Sequence, residues 1–234
     1  MLSFFIMYGM THAQGNLVLN PSFEDTIACP NSVGQINLAS NWSAYALSPD
    51  YFNSCNANQF SVPTNFGGYQ KAATCNAYCG LICYAGQGAG LSNTREFVGG
   101  NLASAVVIGQ KYFVSLKVSL CLNATTLNCA SNNIGINFSI IAYNPGTGNP
   151  APISNSAKVF VTSIVVDSVN WIKISGSFIA DSAYSHIIIG NFFNDANTDT
   201  LLMDGGSSWK YAYYYLDDVC VSTDSMICKN IHQF

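Results

Sequence analysis

Two aspartates, Asp217 and Asp218, stand side by side in YAYYYLDDVCVS, an apolar and aromatic run, although the whole chain holds only 12 acidic residues. Alternation along a strand puts Tyr213, Tyr215, Asp217, Val219 and Val221 on one face. It puts Tyr214, Leu216, Asp218 and Cys220 on the other. One carboxylate must therefore point inward or sit at the rim of a core, where it needs a hydrogen-bond partner, a counter-charge or a metal. Elsewhere, residues able to do chemistry are sparse. Glu24 and Glu96 are the only glutamates, which leaves little from which to build the opposed carboxylates of a glycoside hydrolase. Of the three histidines, His12 lies in the N-terminal apolar segment, His186 heads a strand and His232 sits in the tail. No Ser-His-Asp or Cys-His arrangement can be built from them, and a non-enzyme is expected.

Other polar groups admit two readings each. Arg95 is the only arginine and is followed directly by Glu96. A rigid five-donor fork used once suits either a ligand or a fixed internal pair, with Asp195 or Glu96 as counter-charge. Cys75, Cys79 and Cys83 share one face if their segment is a strand. A zinc site there lacks a nearby His or fourth Cys. One disulfide and one buried thiol are the expectation. NFFNDANTDT (191–200) alternates Asp and Asn but lacks the glycine and terminal glutamate of an EF-hand loop, so a turn rich in Asx hydrogen bonds is expected.

The elements that must position these residues follow from composition and periodicity. Hydrophobic residues make up 49% of the 234, and charged residues only 9%. Asn, Ser, Thr, Tyr and Gly take the place of the missing charge, a profile of an extracellular β-protein. A net charge of −4 with 8 basic residues and no basic stripe excludes a nucleic-acid partner. Residues 1–13, MLSFFIMYGMTHA, read as a secretory signal with a mature start near Gln14, although the basic region that usually opens such signals is missing. The segment is too short to span a bilayer and no later stretch qualifies, so no transmembrane segment is expected. Nine cysteines in an exported chain point to disulfides. Cys121 with Cys129 and Cys220 with Cys228 each flank a short loop, and Cys29 with Cys55 is the best long-range pair.

Helix signals are almost absent. Strands are expected at 16–19, 77–85, 111–122, 133–143, 171–180, 186–193 and 211–222, separated by Asn, Gly, Pro and Ser clusters. In KYFVSLKVSL, Tyr112, Val114, Leu116, Val118 and Leu120 form an apolar face against a mostly polar one. Residues 30–68 lack such a period but are rich in aromatics, and read as a long ordered loop able to carry binding. The whole of 14–234 reads as one domain, an all-β antiparallel sandwich or jelly roll.

With these elements in place, two resemblances emerge. The opening NLVLNPSFED, the later Trp42 and the closing YYYLDDVCVS resemble carbohydrate-binding modules of the galactose-binding-like jelly-roll type. NPSFED, PDYFNSC, VPTNFGGYQ, GQKYFVSLKVSL, WIKISGSFIADSAY and IIIGNFFNDANTDT resemble the N-terminal domain of secreted surface proteins from gliding, type IX-secreting bacteria. In that group an OmpA-like or sorting domain often follows, and here none follows Phe234; a stand-alone or truncated member is expected. The first resemblance implies a structural calcium ion between the first and last strands. Glu24 and Asp218 would be its carboxylate ligands, and main-chain carbonyls near Asn20 and Ser22 would complete them. The reading from the residues alone is that Asp218 accepts backbone hydrogen bonds and Asp217 is solvated at the rim.

The implied function is non-catalytic binding of a carbohydrate or glycan, outside the cell or at its surface. Sugar recognition needs flat apolar faces and planar polar groups. Candidate platforms are Tyr51, Tyr69, Tyr84, Trp42 and Trp209, and candidate hydrogen-bonding groups are Arg95, Glu96, Asn191 and Asp195. The alternative is a structural or adhesive subunit that pairs its sheet edges with copies of itself. Thr26, Ser168, Ser182, Thr200 and Ser225 stand in tripeptides that resemble the O-glycosylation motif of the same bacterial group. Asn41, Asn123 and Asn137 match N-x-Ser/Thr.

Overall fold

A computed structural model of the chain describes residues 15–86, 91–123, 126–203 and 211–230. The signal expected at 1–13, His12, Trp209 and His232 lie outside the described residues. The strands in chain order are β1 (Trp42–Ala46), β2 (Asp50–Asn53), β3 (Thr64–Asn65), β4 (Gly68–Tyr69), β5 (Ala77–Ala85), β6 (Phe97–Asn101) and β7 (Lys111–Cys121). They continue with β8 (Cys129–Ser131), β9 (Ile134–Ser139), β10 (Val159–Phe160), β11 (Ile172–Ile179), β12 (His186–Asn191), β13 (Thr200–Leu202) and β14 (Tyr211–Ser222). A five-residue helix, α1 (Ser225–Lys229), follows β14.

Two five-stranded antiparallel sheets make a jelly-roll sandwich. The first runs β1-β6-β12-β9-β10 and the second β11-β7-β14-β5-β2, so strands distant in sequence lie side by side. Alternation decides what meets between them. Val98, Ile136, Ile187 and Ile189 of the first sheet face Leu81, Leu116, Val118, Tyr214 and Leu216 of the second. The apolar face expected in β7, Tyr112 to Leu120, is buried there as a whole.

The expected alternation fails at one place, and that place is the aspartate pair. Asp217 pairs with Lys117 while Cys220 pairs with Ser115, so β14 carries one extra residue. Asp218 takes φ 54°, a left-handed conformation that Asp tolerates better than bulkier residues. The bulge shifts the phase of the strand. Val219 and Val221 join Tyr214 and Leu216 in the central core, not Tyr213 and Tyr215 as strict alternation requires.

The N-terminal stretch 16–19 forms a bridged arm instead of the expected strand. Leu17 N–H donates to Val221 O (2.8 Å) and Val219 N–H to Pro21 O (2.9 Å), while Val18 bridges Leu102. The two ends of the domain therefore meet, through backbone bonds. The region 30–68 is also more ordered than a loop, since it contains β1, β2 and β3. Its first part sends Ile36 and Ala39 into the central core, and its last part lies on the outer face of the second sheet, where Phe60, Val62 and Phe66 pack on Phe52, Tyr78, Tyr213 and Tyr215.

Cys29–Cys55 and Cys220–Cys228 are disulfides as expected. Cys121–Cys129 is not, because the two side chains belong to different cores. Cys121 points outward from β7 to the Tyr215 hydroxyl, whereas Cys129 packs in the central core. Nor is there a disulfide among Cys75, Cys79 and Cys83. The first is exposed at a turn with φ 54°, and the other two are buried thiols on the core face of β5.

Candidate functional site

The outer faces of the two sheets differ in how far they are covered, and this decides where a ligand has room. The second sheet's outer face is covered by aromatic rings over β14, β5 and β2, and beside β7 and β11 only by α1, where a hollow of about 240 Å³ remains. The first sheet's outer face carries a partial cover from the segment between β9 and β10, whose Tyr143 and Ile153 pack around Tyr45, Phe97, Ile188 and Phe192. Two hollows remain on either side of Tyr143. One, of about 680 Å³, follows the edge strand β1 and is lined by Asn37, Asn41, Ser43, Tyr45, Asn101 and Asn144, among others. The other, of about 420 Å³, lies over β9 and β12 and is lined by Asn137, Ser154, Ser156, Lys158 and Tyr184, among others. Tyr143 lines both, and the hollows form one trench interrupted by a half-buried ring.

Backbone placement accounts for this geometry. Tyr45 lies flat across Gly99 on the neighbouring strand, where any side chain would overlap its ring. Its hydroxyl is 3.2 Å from His186 Nδ1, and Tyr143 meets it edge to face at 5.9 Å. Burial raises the Tyr45 hydroxyl to about 12 and lowers His186, so both are neutral at pH 7. Among the described residues, the side-chain amides of Asn37, Asn41 and Asn101 have no hydrogen-bond partner, and all three are exposed. Asn144 is committed on one side, accepting from Gly146 N–H as the cap of a short turn. Lys158 is the one charged group lining either hollow, and it is paired with Asp181 at 2.7 Å. An aromatic ring flanked by uncommitted neutral amides can stack on a flat apolar face and exchange hydrogen bonds with hydroxyls.

The residues expected to bind a ligand are placed elsewhere. Tyr51 and Asn191 are fully buried, because each serves the interior: the Tyr51 hydroxyl donates to Phe23 O, and Asn191 bridges Cys83 O and Thr198. Trp42 is buried as well, stacking on Phe23 and donating to Asn20 O. Tyr69 is exposed on the β3–β4 hairpin. Arg95 is in the fixed internal pair, 2.8 Å from Asp195 and 5.0 Å over the Tyr84 ring. Tyr84 and Asp195 line a small hollow of about 340 Å³. Glu96 lines a separate apolar groove with Asp50, which the sequence did not single out. The turn at 194–197 is capped by Asn194, as the Asx reading expects. Thr26 and Thr200 are exposed, and Ser168, Ser182 and Ser225 half-buried.

The carboxylates expected to hold calcium have other partners. Glu24 Oε1 accepts from Asn76 N–H (2.9 Å), and Asp218 Oδ2 lies 3.3 Å from Lys117 Nζ. The Asn20 carbonyl already takes the N–H of Phe23 and the indole N–H of Trp42. Among the described residues no three His, Cys, Asp or Glu side chains converge as metal ligands. An ammonium beside Asp218 and two N–H groups on Asn20 O are poor company for a calcium ion, and this donor set does not fit one. Asp217 is fully buried and is not solvated at the rim. It accepts from Ala73, Thr74 and Asp218 N–H, anchoring the 73–74 loop to β14.

No family model and no curated protein matches the chain. Solved structures do resemble it at low identity. Over 91% of this chain and 97% of the other, it is similar to the CBM22-1 xylan-binding domain of Paenibacillus barcinonensis Xyn10C, at 14% identity and TM-score 0.47. It is similar to the CBM22-1-GH10 modules of the Clostridium thermocellum endo-1,4-β-D-xylanase 10B at 9% identity and TM-score 0.45, covering 90% of this chain but 29% of that one. The K1 cleaved adhesin domain of Lys-gingipain from Porphyromonas gingivalis W83 is similar over 87% of this chain and 96% of the other, at 12% identity and TM-score 0.40.

Proposed function

We propose that the chain is a non-catalytic binding module that takes a neutral glycan along the trench on the outer face of the first sheet, outside the cell or at its surface. The observation that carries this reading is the set of exposed, unpaired amides of Asn37, Asn41 and Asn101 beside the Tyr143 ring. Buried or capping amides would be spent on the fold, whereas these have their full hydrogen-bonding capacity left for a ligand. A trench whose one charged side chain is already ion-paired favours a neutral ligand over an ionic one, and offers no acid–base pair for hydrolysis. Two disulfides support an oxidising, extracellular setting. The resemblance of the chain's motifs to secreted surface proteins of type IX-secreting bacteria agrees with that setting.

The test is a glycan array followed by calorimetry on the best hit. Tyr143→Ala is expected to weaken binding about five- to tenfold, the worth of one aromatic contact. Asn101→Ala is expected to weaken it further. Wild-type affinity in both variants, or no hit on a broad array, would overturn the reading.

One observation favours self-association as a second reading. Val107, Ile108, Ile140, Ile141 and Ile179 are all at least half exposed. They gather at one end of the sandwich, where Gly109 N–H bonds Ala180 O and Ser185 N–H bonds Ser139 O. Light scattering after size exclusion decides this: a strict monomer at high concentration would remove it.

A further inference from the structure

A groove of about 980 Å³ lies where the coverings of the two sheets approach each other, sharing Pro145 with the glycan trench. Its walls are mostly aliphatic and aromatic, with Leu47, Phe66, Ile82, Leu127, Ile153 and Tyr211 among them, and Ser48, Asn93, Thr94 and Thr126 at places between. Such a surface suits sugar poorly, since most hydroxyls of a bound ring would lose their water and find no partner. Within these walls stand two carboxylates, Asp50 and Glu96, only 5% and 4% exposed.

Both are held rigidly by donors of the fold. Asp50 accepts from Gly34 N–H (2.7 Å) and from the Tyr213 hydroxyl (2.6 Å). Glu96 accepts from Ile82 N–H (2.8 Å) and from the N–H and hydroxyl of Ser48 (3.3 and 3.1 Å). Two carboxylates offer about eight lone-pair sites, and the five bonds leave capacity on each. Neither forms an ion pair among the described residues. Arg95, the one cation lining the groove, is committed to Asp195. Two acceptor-only groups buried in an apolar hollow without a counter-charge are costly unless something positive arrives. The desolvation that pushes Glu96 up to about 7 and also raises Asp50 is a measure of that cost.

We propose that this groove binds a lipophilic amine, whose aliphatic or aromatic body lies along the Ile82, Leu127 and Phe66 walls and whose ammonium donates to Asp50 and Glu96. Charge complementarity selects a cation, and the apolar walls select one with a hydrocarbon body. A bare metal ion would have only two carboxylate ligands, with the Arg95 guanidinium lining the same groove. The volume is that of a small-molecule site. The inference is independent of the glycan reading, because the groove contains neither the three unpaired amides nor Tyr143 and shares only Pro145 with the trench.

The test uses octylamine, with octan-1-ol and octanoate as its neutral and anionic counterparts, titrated at pH 8.5 into the isotopically labelled chain. Octylamine is expected to bind at least tenfold more tightly than octanol, and octanoate more weakly than either. Chemical-shift changes should centre on Ile82, Leu127 and Tyr213. In Asp50→Asn, whose amide oxygen keeps an acceptor for the Tyr213 hydroxyl, the preference of amine over alcohol should fall at least threefold. Equal affinities for amine and alcohol in the wild type would overturn the proposal. So would shifts confined to residues outside the groove, a readout that needs no variant to fold.

Discussion

Glu96 offers the most direct check on the energetics of the groove. It is buried beside Asp50, and desolvation raises its carboxyl from 4.5 to about 7, against the donors Ile82 N–H and Ser48 that pull it down. An acid that holds its proton more tightly in the fold than in the unfolded chain contributes stability that is complete below the unfolded value. That stability is lost as the pH rises through the folded value. The window here runs from about pH 4.5 to about 7. A displacement of this size is worth about 3 kcal/mol, the order of magnitude at which the ionised form is disfavoured. The protonated form is chemically sensible, because Glu96 Oε1 lies 3.1 Å from the Ser48 hydroxyl, which can turn to accept a proton. Glu96→Gln removes the titration while keeping the shape. Its amide must set an N–H against one of the fold's own donors, so a constant loss of stability is expected at every pH. The diagnostic is the difference between the two proteins. Urea unfolding from pH 4 to pH 8 should show the wild-type advantage shrinking by about 3 kcal/mol. Asp217 and Glu24 are also raised by burial and also make stability fall with pH, but they are common to both proteins and cancel, whereas Asp50, whose charge acts on Glu96, is read together with it. A difference that is constant across that range would refute the claim that Glu96 sits in a desolvated site.

The adjacent aspartates should behave oppositely under substitution. Asp217→Ala strands one buried and two part-buried backbone N–H groups and is expected to cost about 3 kcal/mol in chemical denaturation. Asp218→Asn keeps a residue that tolerates the left-handed bulge and loses one ion pair, whose carboxylate is buried and whose ammonium is partly exposed, about 1–2 kcal/mol; equal losses would contradict the roles assigned here. Replacing Cys220 and Cys228 together by Ser opens the loop they close and should lower stability by about 2–3 kcal/mol, read as a fall in urea midpoint; a reducing agent, which also opens Cys29–Cys55, should lower the wild type further. Because the Glu24 and Asp218 donor sets are occupied, neither EGTA nor millimolar calcium is expected to move Tm. A rise of several degrees with calcium would restore the metal site that the jelly-roll resemblance implies.

The strands were legible wherever alternation was strong. AYCGLICYA coincides with β5, and KYFVSLKVSLCL overruns β7 by a single residue. Both disulfides that close across one loop or one long span could be read from spacing, while Cys121 and Cys129 show where spacing misleads. Eight residues separate them, yet they point into different layers, and sequence distance carries no information about layers. The edge strand β1 went unseen because WSAYA is short and only Trp42 of its core-facing residues is large. The trench was illegible for a similar reason. Asn37, Asn41, Asn101 and Tyr143 are spread over more than a hundred positions of an asparagine-rich chain, and only the pairing of β1 with β6 brings them together. Arg95 was only half legible: the sequence left it between a ligand and an internal pair with Asp195 or Glu96, and its ion pair with Asp195 decides for the second.

The bulge at Asp217–Asp218 links fold and function more tightly than a calcium ion would. One extra residue in β14 turns Val219 and Val221 toward the core, and their backbone then faces the N-terminal arm, which bonds it at Val219 and Val221. The same arm carries Asn20, whose carbonyl fixes the Trp42 indole and whose amide ties Asp25 to Ser40. Trp42 opens β1, the strand beside the trench, and Tyr45 three residues on supports Tyr143. A chain of short hydrogen bonds therefore runs from the acidic bulge to the start of β1, and the strand and the Tyr45–Tyr143 ring contact carry it on to the ring proposed to meet the glycan. Its members are the arm backbone, the Asn20 carbonyl and the Trp42 indole. Trp42→Phe keeps the aromatic packing on Phe23 but deletes the indole N–H. If that route positions the site, this variant should loosen the β1 edge and weaken glycan binding while Asp217 still anchors the 73–74 loop. Faster hydrogen exchange confined to residues 42–46, together with lower affinity, is the expected signature. Unchanged exchange in β1 with intact binding would show that the trench is held by the first sheet alone.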